Sequence, residues 1–563
     1  MLPPALGDVA AGRADALTKG LFALAVQAKA DRRVPEMKAA AMYGSRVRVV
    51  RRLVGVAVAA TIVAVFAAPA GAVDRSLGAG IAKPVAAGAQ WTDAEIASLS
   101  ANVDVLLAGA KTLGGAHVGI YAIGARDGRV LYARNADDLF QPASTLKLLV
   151  GSAALDKLGP GFRFTTEAFV PGSASVVDGE VKGSVMLRGG GDVLLDDAAL
   201  AELPAALRAA GVVAVHGVSF IDDRRFPPYL PGWSWDDFPW YYAAPVTPLS
   251  LNDNTVTLDV TPGERPGAPV SVAVRPWGTA CIVATPCRAD LGFAIDVRAT
   301  TGEKGSASTL DVTRDVPSGG LDRVTLIGSL AAGADAEHLD IAVPWPPRYA
   351  AAAATRALTR AGFRVLPDLS AAPPAAAPGN DRIVWTHNSA PLSDVLGDLW
   401  QPSDNILAEQ LLRALGAPDG ARQGPSAAGI AWEKTWLKKL GIDAEAVALE
   451  DGSGLSVYDR ITPHDLVTIL KYDWDGANRD VVLDDLPLAG VRGTLKASFT
   501  GTAAEQHVFA KTGTLAHASA LAGYAANAKH GAVIFAFTVD DWIGEAAALR
   551  ELRGRVLSHF VED

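Results

Sequence analysis

Pro142-Ala143-Ser144-Thr145-Leu146-Lys147-Leu148-Leu149-Val150-Gly151-Ser152-Ala153-Ala154-Leu155-Asp156-Lys157-Leu158 is the stretch on which the fold and the chemistry turn. Leu146, Leu149, Val150, Ala153 and Leu158 follow helical spacing, and Gly159-Pro160 ends the run, so a helix is predicted from Ser144 onward. Ser144 and Lys147 are three residues apart and share one face of it, placing a hydroxyl beside an amine. A serine becomes a nucleophile when a base adjoins it, and a lysine serves as that base once burial or a second cation depresses its pKa. The start of the helix also offers free backbone N–H groups to a developing oxyanion.

Just upstream, His117–Ile123 and Arg129–Arg134 are β-prone runs joined through Asp127-Gly128, which predicts a hairpin. At the other end, 506–514, 518–526 and 531–539 read as three strands, followed by a helix over 543–559. A hairpin that opens the chain and strands that close it predict one antiparallel sheet built from both ends. Residues 165–385 between them read as a mainly β insertion with helices near 197–210 and 348–362. A helical zone returns over 391–470. The expected class is α+β, multi-domain, with an antiparallel sheet flanked by helices and a large insertion.

Two further motifs sit in this frame. Ser403-Asp404-Asn405 lies in the returning helical zone, and the same S-x-N pattern also occurs at Ser100 and Ser250, so position decides its meaning. Lys511-Thr512-Gly513-Thr514 lies in a predicted strand, where Lys511 supplies a second cation and Gly513 permits close approach of a substrate backbone. Helix start, helical zone and C-terminal strand, in that order, match the penicillin-recognising serine enzymes. No G-x-S-x-G, H-E-x-x-H, Walker or G-x-G-x-x-G pattern is present, and Gly189-Gly190-Gly191-Asp192 reads as a turn.

Composition narrows the remaining classes. The 563 residues suggest three or four domains. A net charge of -10 argues against nucleic acid as a partner. Nine scattered histidines and two cysteines offer no metal-ligand spacing, so neither a metal nor an organic cofactor is expected. Arg46, Arg48, Arg51 and Arg52 precede an uncharged apolar run, Leu53–Ala68, that ends in Pro69-Ala70-Gly71-Ala72. This reads as an export signal, cleaved before Val73 or retained as an anchor, with translation starting at Met42 or Met37. Residues 73–90 read as a linker. In an oxidising compartment Cys281 and Cys287 either close a small loop as a disulfide or stay as two thiols.

The chain resembles the class C low-molecular-mass penicillin-binding proteins, the D-alanyl-D-alanine carboxypeptidase/endopeptidases. The resemblance runs from about residue 91 to 563 through GRVLYARNADDLFQPASTLKLL, IDDRRF, PGWSWDDFPWYYAAP, SDNILAEQLLR, DGSGLS, and GTL before KTGT. The 255 residues between Lys147 and Ser403 fit that family, which carries two extra domains there. It implies a serine β-lactamase-like penicillin-binding domain of 91–164 plus 387–563. A second domain would comprise 165–245 with 337–386, and a third 246–336.

By resemblance, Ser144 is the acylated nucleophile, Lys147 its base, and Ser403 the relay that protonates the leaving D-alanine. Asn405 binds the substrate backbone, while Lys511 and Thr512 hold the terminal carboxylate. Backbone N–H groups of Ser144 and Thr514 form the oxyanion hole. The implied partners are peptidoglycan stem peptides and β-lactams as covalent inhibitors; the sequence gives no oligomeric state. Two departures stand out: Asp192-Val193 where the family continues Asp-Pro, and Val457 where an arginine commonly follows Gly-Leu-Ser. Trp233, Asp236 and Tyr241 either form an aromatic packing segment or place an acid between aromatic walls, ready for a side-chain ammonium of the stem peptide. Against a β-lactamase stands the absence of an E-x-x-L-N stretch between Ser403 and Lys511. A non-enzymatic wall-binding protein on the same fold is the rival of another class.

Overall fold

The computed structural model describes residues 83–85, 88–221, 226–281, 291–315, 322–366 and 380–563. The export segment, the choice of start, most of the linker, the centre of IDDRRF, and Cys287 lie outside these residues; Cys281 is buried. Among the described residues no helix is long and apolar enough to cross a membrane.

The sheet expected from both chain ends is present. Its strands are β1 (His117–Gly124), β2 (Val130–Arg134), β3 (Val508–Leu515), β4 (Ala518–Asn527) and β5 (Gly531–Asp540). Their spatial order is β2-β1-β5-β4-β3, with every pairing antiparallel. The β1–β5 register pairs His117 with Asp540 and Gly124 with Val533, so the chain's two ends are joined by a full-length ladder. The β1–β2 turn is set by Gly128, whose φ of 70° is left-handed, and by Asp127, whose carboxylate accepts from Arg129 N–H at 3.1 Å.

Both faces of this sheet are covered. Phe535, Phe537 and Val539 of β5 pack with Leu549, Val556 and Phe560 of the closing helix Ala546–Glu562 and with Leu99 and Val103 of Asp93–Gly109. Ile534 and Ala536, the alternate residues, face the opposite core. That core is built by α1 (Leu146–Leu158), α2 (Leu392–Trp400), α3 (Asn405–Leu415), α4 (Ser426–Lys439) and α5 (Pro463–Asp475). Helix α1 lies at its centre: Leu146 to Leu155 are all buried, so it is enclosed on every side.

The insertion is mainly β, with the helix Pro346–Arg360 packed in its core. Thr165–Val170, Val185–Arg188, Val218–Phe220 and Arg382–Asn388 form one four-stranded sheet, and short strands at 176–177, 180–181, 214–215 and 364–365 a second. The strands between 255 and 342 form three further sheets, of four, three and two strands. Glu337–Ala342 pairs along its whole length with Thr255–Thr261. Its end also meets the 165–245 segment, where Ile341 bridges to Trp240 and Ala342 N–H donates to Pro239 O at 2.9 Å.

Candidate active site

The turn that carries Ser144 is local in origin. Ala143 is held at a φ of 45°, Ala143–Thr145 make a single 3₁₀ turn, and Thr145 Oγ1 donates to Pro142 O at 2.7 Å. From Pro142 to Val150 every residue is buried except Ser144, which is half-exposed. One turn on, Lys147 is fully buried and its Nζ donates to Ser144 Oγ at 2.9 Å, Asn405 Oδ1 at 2.5 Å and Ser453 O at 2.8 Å. Three acceptors use all three protons of an ammonium and fix its direction. The helix is pinned from behind, because Trp400 Nε1 donates to Lys147 O at 2.9 Å and a Cβ at Gly151 would fall 2.5 Å from that indole.

Ser403-Asp404-Asn405 forms the entry to α3. Ser403 has a left-handed φ of 69°, and Asp404 caps the helix by accepting from Leu407 N–H at 2.9 Å. The turn throws the Ser403 hydroxyl towards β3, where Lys511 Nζ donates to it at 2.9 Å and to Thr512 O at 2.7 Å. Strand β3 is an edge of the sheet, and its open side runs along the Ser144 turn. A Cβ at Gly513 would lie 2.6 Å from Pro142 O and 3.0 Å from Ser144 N. The glycine is required by the protein's own backbone. Thr512 Oγ1 donates to Thr494 Oγ1 at 2.7 Å, which ties the Gly-Thr-Leu segment to the strand, and Thr514 is exposed at its end.

Burial controls the electrostatics. It pulls Lys147 down to about 8, against the opposing pull of the Asp451, Asp404 and Glu409 negative charges. Lys511 is held well below the usual lysine range by burial and by the Lys147 charge. Asp404 is pushed up by burial and neighbours Asp253, whose carboxyl is raised by burial and by Asp404.

Asn405 lies beside the amine, with Oδ1 accepting from Lys147 and Nδ2 donating one of its two protons to Tyr242 O at 2.7 Å. Of the three residues from the aromatic segment, Trp233 is buried and donates from Nε1 to Asp451 Oδ2 at 2.8 Å. Asp236 is exposed in the short turn Trp235–Asp237. Tyr241 lies edge-on to Tyr242, its hydroxyl pushed up by burial and by Asp340, Asp253 and Asp404. Residues without an assigned role in the sequence reading, Ser453, Asp451, Glu409 and Thr494, also touch the site. Their signals were the quoted stretches that contain them: DGSGLS for Asp451 and Ser453, SDNILAEQLLR for Glu409 and GTL for Thr494.

A family model described as "D-Ala-D-Ala carboxypeptidase 3 (S13) family" matches residues 99–556. The chain belongs to the S13 family. Among S13 relatives, the D-alanyl-D-alanine carboxypeptidase of Actinomadura sp. (strain R39) is 33% identical over 461 residues, 80% of this chain and 81% of that protein. Penicillin binding protein 4 (dacB) from Haemophilus influenzae superposes with a TM-score of 0.67 at 25% identity, covering 81% of this chain and 97% of that one. A second structure of that protein, in complex with a β-lactam, gives 0.65 at 24% identity over 82% and 100%. The S13 match takes in the paired strands at both chain ends and the insertion between them.

Proposed function

We propose that this protein is a serine D-alanyl-D-alanine carboxypeptidase that works through an ester on Ser144. The observation that carries the reading is the buried Lys147 amine, 2.9 Å from Ser144 Oγ and lowered to about 8. A lysine near that value is partly neutral at physiological pH and takes a serine proton without a histidine.

In the first step Ser144 Oγ attacks the carbonyl of the penultimate D-alanine while its proton passes to Lys147. The oxyanion develops at the Ser144 N–H, with Thr514 N–H as its partner donor on β3. Collapse breaks the C–N bond, and the proton that Lys147 took passes by way of the Ser403 hydroxyl, which Lys511 holds by hydrogen bond, to the departing amine, leaving Lys147 neutral for the water step. Water then cleaves the ester, and Lys147 again manages the proton. An endopeptidase cut is the same reaction with a longer leaving amine. Lys511 and Thr512 receive the terminal carboxylate. Asn405 binds the substrate backbone with its second Nδ2 proton while its Oδ1 holds Lys147 in line.

Peptidoglycan stem peptides are the substrate class, and a β-lactam, a strained amide, is trapped at the ester stage. Such substrates place the protein outside the cytoplasmic membrane, in keeping with the export segment Leu53–Ala72. Exposed Asp236 is a landing point for a side-chain ammonium of the stem peptide.

The deciding assay is D-alanine release from a peptide ending in D-Ala-D-Ala. Wild-type protein releases it and Ser144→Ala loses at least about 10³-fold. Equal release by the two proteins would remove Ser144 from the mechanism.

A further inference from the structure

Two segments far apart in sequence meet at one buried carboxylate. Asp451 Oδ1 accepts from Gly454 N–H at 2.6 Å, and Oδ2 accepts from Ser456 N–H at 2.7 Å and from the Trp233 indole at 2.8 Å. Ser453 Oγ adds a longer bond at 3.2 Å. On the far side, Glu409 of α3 accepts from Gly452 N–H and Ser453 N–H at 3.0 and 2.8 Å. With its amides turned inward onto these two acids, the loop points the Ser453 carbonyl at Lys147, where Nζ donates at 2.8 Å.

The same loop also braces the nucleophile. Gly454 has a φ of 75°, and a Cβ there would fall 1.8 Å from Ala143 O, the carbonyl just before Ser144. Base and nucleophile turn therefore rest on one loop, and Asp451 is its hub. Trp233 reaches this hub from the inserted region. Its neighbour Gly232 also abuts the loop: Val457 N–H donates to Gly232 O at 3.3 Å, and a Cβ at Gly232 would come within 2.3 Å of Ser456 Oγ.

We propose that Asp451 is a positioning residue for acylation, and that the inserted region acts on Lys147 through the Trp233–Asp451 hydrogen bond. This deepens the assignment of Ser144 and Lys147 and rests on it. Asp451 touches neither substrate nor reacting atoms; it acts by where it puts the Ser453 carbonyl and by its charge. The titratable groups facing the Lys147 amine are Asp451, Asp404, Glu409, whose carboxyl is raised to about 8 by burial and by Asp451, and Lys511. Removing the negative charge of Asp451 makes Lys147 easier to deprotonate, while releasing the loop leaves the amine poorly aimed. The two effects have separate signatures in a pH profile.

The test uses the whole protein and the second-order rate of acylation by a chromogenic cephalosporin, measured against pH. Trp233→Phe keeps an aromatic ring and the Asp451 charge but removes one charge-assisted bond. It should lower the rate about tenfold and leave the acid limb in place. Asp451→Asn should lower the rate further and move the acid limb to lower pH. Trp235→Phe, two residues away and largely exposed, should acylate like wild type.

If Trp233→Phe acylates at the wild-type rate while peptide turnover falls, Trp233 is a substrate wall and the inference is wrong. A folded Asp451→Asn protein with an unmoved acid limb would reduce Asp451 to a structural residue. If Asp451→Asn does not fold, the Trp233→Phe rate decides alone. Failure of the underlying assignment looks different, because the wild-type label would then not map to Ser144.

Discussion

Replacing Gly513 by alanine adds one carbon to the wall between strand β3 and the nucleophile turn. That carbon would stand 2.6 Å from Pro142 O and 3.0 Å from the amide nitrogens of Ser144 and Thr145. Ordinary contact begins near 3.4 Å, so the strand or the turn must yield by about 0.8 Å at the closest point. All three contacts are backbone atoms, so no side chain can swing aside to absorb the shift. Overpacking of this kind costs about 1–3 kcal/mol of stability. The larger effect falls on chemistry, because a displacement near 1 Å at reacting groups costs about 10²-fold in rate, or about 2.7 kcal/mol of barrier. Gly513→Ala should therefore stay folded, melt a few degrees lower, and acylate with a chromogenic cephalosporin about 10²-fold more slowly than wild type. Stopped-flow acylation and a thermal melt on the same sample read both quantities. Acylation within threefold of wild type by a folded Gly513→Ala protein would refute the claim that β3 is seated against the Ser144 turn.

The acylation rate should fall about tenfold per pH unit below about 7 and level off above about 8, because the Lys147 amine accepts a proton only when neutral. An acid limb lying wholly below about pH 5 would assign the base elsewhere. Asp236→Ala should lower turnover of stem peptides with a free side-chain ammonium while barely changing acylation by simple penicillins; equal wild-type turnover of free and N-acylated peptides would show Asp236 to be uninvolved. Away from the site, Asp473 is buried and raised to about 7, and its Oδ2 lies 2.6 Å from Ser152 Oγ, which also reaches Leu148 O at 2.7 Å. The hydroxyl has one proton for two acceptors, so Asp473 carries the other. Its raised pKa gives stability that is full below about pH 4 and lost as pH rises through about 7. Asp473→Asn should thus gain on wild type as pH rises, with a larger advantage in a melt near pH 8.5 than near pH 5, and a difference that does not grow with pH would contradict the protonated pair.

The parts of the site that local geometry determines were readable from sequence. The Ser144–Lys147 contact follows from three-residue spacing on one helix, and the β1–β2 hairpin from Asp127-Gly128 between two β-prone runs. The final three strands and helix came within three residues of their observed bounds, since alternating apolar runs separated by polar turns admit little else. What escaped was non-local. Glu337–Ala342 pairs with Thr255–Thr261 across 75 intervening residues, and nothing in either strand names its partner. The contacts that hold Asn405, Lys147 on Oδ1 and Tyr242 O on Nδ2, come from 258 and 163 residues away. Trp233 carries an indole N–H that must find an acceptor once buried, but the acceptor, Asp451, lies 218 residues away.

The most direct measurement of the central claim is the site of covalent labelling by penicillin. Wild-type protein is incubated with the β-lactam, weighed intact, digested, and its peptides are mapped. The account predicts a single adduct carried by the peptide containing Ser144, absent from Ser144→Ala and not formed by folded Lys147→Ala. An adduct that survives in Ser144→Ala, or that maps to any other residue, would contradict it.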